Sequence, residues 1–230
     1  MSSIADNIES VTRRIQKATV EAGRDVNSVR LLAVSKSRPA AEIRAAVAAE
    51  QYAFGENYVQ EACDKMAELA DLTGIEWHFI GPVQANKTRQ IAENFAWVHS
   101  VDRFRIAGRL SSQRPPHLPP LNVCIQVNIN AEDSKSGCSL SDLPELAEAI
   151  IALPGLRLRG LMALPAPAQS EDELRASFRH LADLQTMLNQ TPSINGIMDT
   201  LSMGMSADLE LAIAEGATWV RIGTALFGKR

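Results

Sequence analysis

An alternation runs the length of this chain and constrains it more than any other feature. Apolar runs at residues 29–34, 52–54, 77–80, 96–98, 121–129, 156–164, 197–201 and 218–222 read as strands. Between them lie stretches with helical spacing at residues 40–50, 57–70, 84–93, 102–112, a segment through residue 152, residues 171–190 and residues 207–215. An opening helix over residues 3–22 precedes the series and ends near Gly23. Alternating β and α segments imply a parallel sheet. Such a sheet is covered on both faces, which explains runs that are apolar almost throughout. Eight such units in 230 residues fit one closed (β/α)8 TIM-type barrel with an extra N-terminal helix better than an open doubly wound sheet. No linker, repeat or low-complexity segment divides the chain, so residues 1–230 are expected to form a single domain.

The totals narrow the function. A net charge of -4 and the lack of a basic stripe interleaved with aromatics argue against a nucleic-acid partner. Cys63, Cys124 and Cys138 form an odd set without a C-x-x-C pair, against both a disulfide framework and structural zinc. Cys124 lies in an apolar run and reads as core. His78, His99, His117 and His180 are dispersed without metal-ligand spacing, and His78 reads as a hydrogen-bonded barrel residue. The start has no basic segment followed by an apolar one, and no run approaches ~20 apolar residues. The expectation is a cytoplasmic protein without a membrane contact and without metal.

Ligands of such barrels sit at the C-terminal ends of the strands. Lys36 follows the first strand. An amine at an apolar mouth is partly desolvated, which favours the neutral form that attacks an aldehyde. The alternative is a lysine that extends into solvent. The last two strands are followed by Ser202-Met203-Gly204 and Gly223-Thr224. Phosphate sites in these barrels are built from the loops after strands 7 and 8. Gly204 and Gly223 let backbone N–H groups approach an anion, and Ser202 and Thr224 offer hydroxyls. Residues 224–227 could start a helical turn. Arg221 closes strand 8, which a closed barrel sets beside strand 1. It could donate to a pyridine nitrogen, or pair with a carboxylate. An amine, a phosphate cup and a cation at one end suit a phosphorylated aldehyde without identifying it.

The segments Leu32-Ala-Val-Ser-Lys36, Phe54-Gly-Glu-Asn-Tyr-Val-Gln-Glu61, Trp77-His-Phe-Ile-Gly81, Gly160-Leu-Met162, Leu201-Ser-Met-Gly-Met-Ser206 and Val220-Arg-Ile-Gly-Thr224 resemble the pyridoxal phosphate homeostasis protein family, in register along essentially the whole chain. The resemblance implies a barrel like the N-terminal domain of alanine racemases, with pyridoxal 5′-phosphate (PLP) held as a Schiff base on Lys36. It implies cofactor contacts at Asn57, Ser202, Arg221, Gly223 and Thr224, with Met162 nearby and Met203 and Gly204 in the phosphate loop. The stretch Asn128 to Gly137, with Glu132 and Lys135, resembles the family's loop after strand 5, and Lys135 could add a basic contact. Arg38 stands where relatives often carry a second lysine, and the tail Gly228-Lys229-Arg230 is shorter than in many. The family implies a protein that holds and delivers PLP for vitamin B6 homeostasis, with apo PLP enzymes as recipients. The rival is an amino-acid racemase or related PLP enzyme. Against it, the sequence stops after the barrel, and its only tyrosines, Tyr52 and Tyr58, lie near strand 2. A monomer without robust turnover is expected.

Overall fold

The computed structural model describes residues 3–130, 136–165 and 170–228. Strands β1 (Arg30–Val34), β2 (Ala53–Glu56), β3 (Glu76–Phe79), β4 (Trp97–Val101), β5 (Leu121–Gln126), β6 (Leu156–Met162), β7 (Thr200–Ser202) and β8 (Trp219–Ile222) are parallel neighbours in chain order, and β8 returns to β1 to close a barrel. Around it run α1 (Ile4–Glu21), α2 (Ala40–Ala48), α3 (Val59–Glu68), α4 (Thr88–Asn94), α5 (Phe104–Gln113), α6 (Leu143–Ile151), α7 (Glu171–Asn189), α8 (Leu209–Ala214) and the short α9 (Thr224–Phe227). The chain is thus a TIM barrel with an additional first helix.

Local chemistry starts the long helices. Ser3 caps α1: its hydroxyl accepts from Asp6 N, and the Asp6 carboxylate accepts from Ser3 N. Ile8, Val11, Ile15 and Ala18 recur at helical spacing and are buried. The seam they form lies against α2, α8 and α9, and Asn7 Nδ2 donates to Leu226 O at 2.8 Å. Ser170 and Glu173 build the same reciprocal cap at α7.

Alternation along each strand sorts side chains between two cores. Phe79, Val98, Ile125, Leu161, Val220 and Ile222 face the helices and join Ile43, Ile91, Ile106, Phe178 and Leu181 in one continuous cluster. Each fully buried side chain of this size contributes about 1.5–3 kcal/mol. The barrel interior holds Leu32, Ala53 and Trp219 on one side and Trp97, Cys124 and Met162 on the other. Gly160 is obligatory here: a Cβ would lie 1.7 Å from Thr200 O on the neighbouring strand, where the register between β5 and β6 also shifts.

Four of the differences between expected and observed strand boundaries bear on the site or on strand placement. β4 continues to Val101 rather than stopping at 98, which takes His99 into the barrel. β5 ends at Gln126, and beyond it Val127 N still donates to Met162 O at 2.8 Å and Val127 forms a bridge with Cys138. β2 starts after Tyr52, which is exposed, and contains Gly55, beyond the expected run of 52–54. β7 begins at Thr200 rather than 197 and includes Ser202, which was expected in a loop.

Candidate cofactor site

The C-terminal rim is organised around the turn after β1. Lys36 is half-buried there, between two residues that are tied down. Ser35 Oγ donates to Glu56 Oε1 at 2.6 Å, and Ser37 N donates to Glu61 Oε1 at 2.5 Å. Ser37 adopts a positive φ of 59°. Lys65, from the buried face of α3, joins these groups. Its Nζ donates to Ser35 O and Glu56 Oε1 at 2.8 Å each, and to Glu61 Oε1 at 2.5 Å. Burial pushes the Glu56 carboxyl up, opposed by its hydrogen bonds from Lys65 and Ser35. None of Ser35, Glu56 or Lys65 was singled out as a site residue from sequence. The one local signal was Glu61 four residues before Lys65 on a helix, a common surface pair.

β8 pairs with β1 so that Leu32 faces Arg221 and Ala33 faces Ile222. The end of β8 therefore adjoins the Lys36 turn, and a Cβ on Gly223 would sit 3.3 Å from Val34 O. Arg221 is buried. Its Nη1 donates to Ser202 Oγ at 2.8 Å and its Nη2 to Ala163 O at 2.9 Å, so the guanidinium reaches across β7 to the end of β6. Burial lowers its pKa to about 10, partly offset by the Asp208 charge, so it remains a cation at neutral pH. Its partners here are a hydroxyl and a carbonyl rather than the carboxylate of the alternative reading.

The rest of the rim contributes backbone and small groups. Gly204 holds a φ of 92°, and its carbonyl accepts from Arg221 N at 2.9 Å. Met203 and Met162 are fully buried, and Thr224 is exposed at the start of α9. Asn57 is half-buried, and its Oδ1 has no hydrogen-bond partner among the described residues. It borders a cleft of about 380 Å³ lined also by Tyr58, Gln84 and Lys87. Arg38 is engaged elsewhere: it donates to Gly228 O, lies 3.7 Å from Glu42 and covers the Phe227 ring. Lys135 and Glu132, and the tail residues Lys229 and Arg230, lie outside the described residues.

Ser202 requires a correction. The hydroxyl expected at the phosphate loop is fully buried inside the barrel, because Ser202 is the last residue of β7 and alternation turns it inward. Besides accepting from Arg221, it lies 2.7 Å from His99 Nδ1. His99 Nε2 lies 2.9 Å from His78 Nδ1, and His78 Nε2 lies 2.9 Å from Glu76 Oε1 at the opposite end of the barrel. His78 and His99, dispersed in sequence, are thus consecutive links in one chain. His78 is the hydrogen-bonded barrel residue it was expected to be. Burial lowers both imidazole pKa values, His99 well below the usual range, and both are neutral at pH 7. Burial would raise the Glu76 carboxyl, but its contacts with His78 and Arg30 outweigh this and hold it low.

Comparison with known proteins fits this geometry. Residues 2–230 match the family described as alanine racemase, N-terminal domain. The pyridoxal phosphate homeostasis protein of Pseudomonas aeruginosa is 62% identical over 230 residues, covering 100% of this chain and 97% of that protein. The chain belongs to the pyridoxal phosphate homeostasis protein family. The Escherichia coli K12 member is 52% identical over 232 residues, covering 100% of this chain and 98% of its own. Among solved structures, PipY of Synechococcus elongatus with PLP bound is similar at a TM-score of 0.87 and 39% identity, covering 98% of this chain and 100% of PipY. The family match bears out both the barrel and the resemblance drawn from the six segments.

Proposed function

We propose that this protein binds PLP covalently through a Schiff base on Lys36 and holds it for delivery to apo PLP enzymes, serving B6 homeostasis in the cytoplasm as a monomer. The observation that carries the reading is the β1–β8 register, which brings Arg221 and Gly223 beside the turn that carries Lys36. The names of the relatives and the PLP-bound PipY structure support the same ligand. The unpartnered Asn57 Oδ1 fits a polar, phosphorylated ring.

In this reading PLP supplies the aldehyde carbon that the Lys36 amine attacks. The clamp of Ser35 and Ser37 by Glu56, Glu61 and Lys65 restricts that amine to one edge of the mouth. Arg221, a cation at neutral pH, donates to the pyridine nitrogen and disfavours protonation there. The backbone at Met203-Gly204 and at Gly223-Thr224, with the Thr224 hydroxyl, receives the phosphate, and Asn57 and Met162 border the ring.

Borohydride reduction of the PLP-loaded protein, followed by peptide mapping, tests the attachment. The label is expected on Lys36. A label on another lysine, or no visible absorbance band after reconstitution, refutes it.

A further inference from the structure

We propose that His99 and His78 are positioning residues for the cofactor's ring: through Ser202 they hold the Arg221 guanidinium in the orientation that donates to the pyridine nitrogen. This rests on the PLP reading above.

The hydrogen-bond directions follow from the two ends. A guanidinium has donors only, and an ionised carboxylate acceptors only. Between them, the Ser202 hydroxyl and each neutral imidazole can donate once along the chain and accept once. One arrangement satisfies every link. Arg221 Nη1 donates to Ser202 Oγ, Ser202 donates to His99 Nδ1, His99 Nε2 donates to His78 Nδ1, and His78 Nε2 donates to Glu76. Both imidazoles are then Nε2–H tautomers. The Ser202 lone pair that meets Arg221 has a fixed direction because its own proton is committed to His99. With Ala163 O as a second acceptor at 2.9 Å, the guanidinium plane is set by two bonds, and its remaining donors are available to the ring.

The surroundings shield this chain. Ser202, His78 and His99 are fully buried. The Trp97 ring stacks parallel on His78 with centroids 5.4 Å apart, and Trp219 meets His78 edge-on at 4.8 Å. Arg30 lies 4.0 Å over the Trp219 ring, and Arg159 lies 4.7 Å over Trp97. Apolar side chains could fill the interior without the desolvation cost of a polar chain. A chain that is satisfied at every link and ends on the cofactor-facing arginine is accounted for by what it does to that arginine.

The test compares PLP with its 1-deaza analogue, in which C–H replaces the ring nitrogen, by titrating Schiff-base absorbance. Wild type should prefer PLP by about tenfold or more, the worth of a charge-assisted hydrogen bond. His99→Leu removes both links and should cut the preference to about threefold or less, with the analogue's affinity within about twofold of wild type. His99→Gln, which keeps one acceptor and one donor, should restore most of the preference. No Schiff base with either ligand overturns the PLP reading itself. Binding without a preference in wild type overturns the Arg221–ring contact, and the positioning role with it. A full preference in His99→Leu overturns the positioning role alone. Should His99→Leu fail to fold, ¹⁵N spectra of the wild-type imidazoles decide: two neutral Nε2–H rings are expected at pH 7, and an Nδ1–H ring or an imidazolium at either position overturns the proposal.

Discussion

Lys65→Met probes the cluster beneath the Lys36 turn. In wild type the Lys65 ammonium, with side-chain exposure of 7%, makes three hydrogen bonds, one of them to a Glu56 carboxylate with 0% exposure. Methionine matches the length but supplies no donor. The carboxylate keeps only the Ser35 hydroxyl, and Glu56 Oε2 already has no partner among the described residues. Removing one member of a buried ion pair costs about 3–5 kcal/mol. For a chain of this size that lowers Tm by roughly 6–20 °C. The penalty should depend on pH with a definite sign. The Glu56 pKa is already raised in the folded protein, so its contribution is fully present below the unfolded value and is lost as pH rises through the folded one. Losing Lys65 raises the folded pKa further and widens that window upward. The variant should lie closer to wild type at pH 5, where Glu56 can take a proton, than at pH 8, where it must stay charged or the fold must open. Urea unfolding of both proteins at the two pH values measures this. A penalty under about 1 kcal/mol would be that of an exposed pair, and a penalty equal at both pH values would mean that the buried carboxylate is not its source. Either result refutes the reasoning.

Three further outcomes are expected. Thr224→Ala should weaken PLP binding about tenfold or more but pyridoxal binding little, whereas Ser202→Ala, acting through Arg221, should weaken both alike; a Ser202→Ala effect confined to PLP would return that hydroxyl to the phosphate. PLP-loaded protein should interconvert L- and D-alanine far more slowly than about one turnover per second, in a chiral assay; a rate at or above that, abolished by Lys36→Ala, would establish the racemase alternative. Gly160→Ala should yield little folded protein, because its Cβ would overlap Thr200 O; a soluble variant with wild-type circular dichroism and Tm would contradict the strand spacing described here.

The barrel and the ligand class were legible in the sequence because both are written in short stretches. Helical spacing and apolar runs each involve residues within a few turns of one another. Lys36, Asn57, Gly204, Gly223 and Thr224 fall at strand ends that chain order alone locates at one rim. The interior was not legible in this way. Whether His99 lies in β4 or after it turns on a few residues of boundary, and that boundary depends on the neighbouring strand rather than on local composition. Ser202 likewise changed from a loop hydroxyl to an inward one because β7 runs one residue further than expected, through Ser202. The path from Arg221 to Glu76 draws on β8, β7, β4 and β3, and a one-residue slip in any of these would turn its side chain toward the helices. The Lys65 cluster was hidden for a related reason. A Glu–Lys pair four apart usually marks a solvated helix face, and only the packing of α3 against the rim beside β1 and β2 makes it a buried clamp. Spacing along the chain determined which elements form and where the ligand end lies. Closure of the barrel decided which polar groups meet inside it, because those contacts join residues up to 103 positions apart.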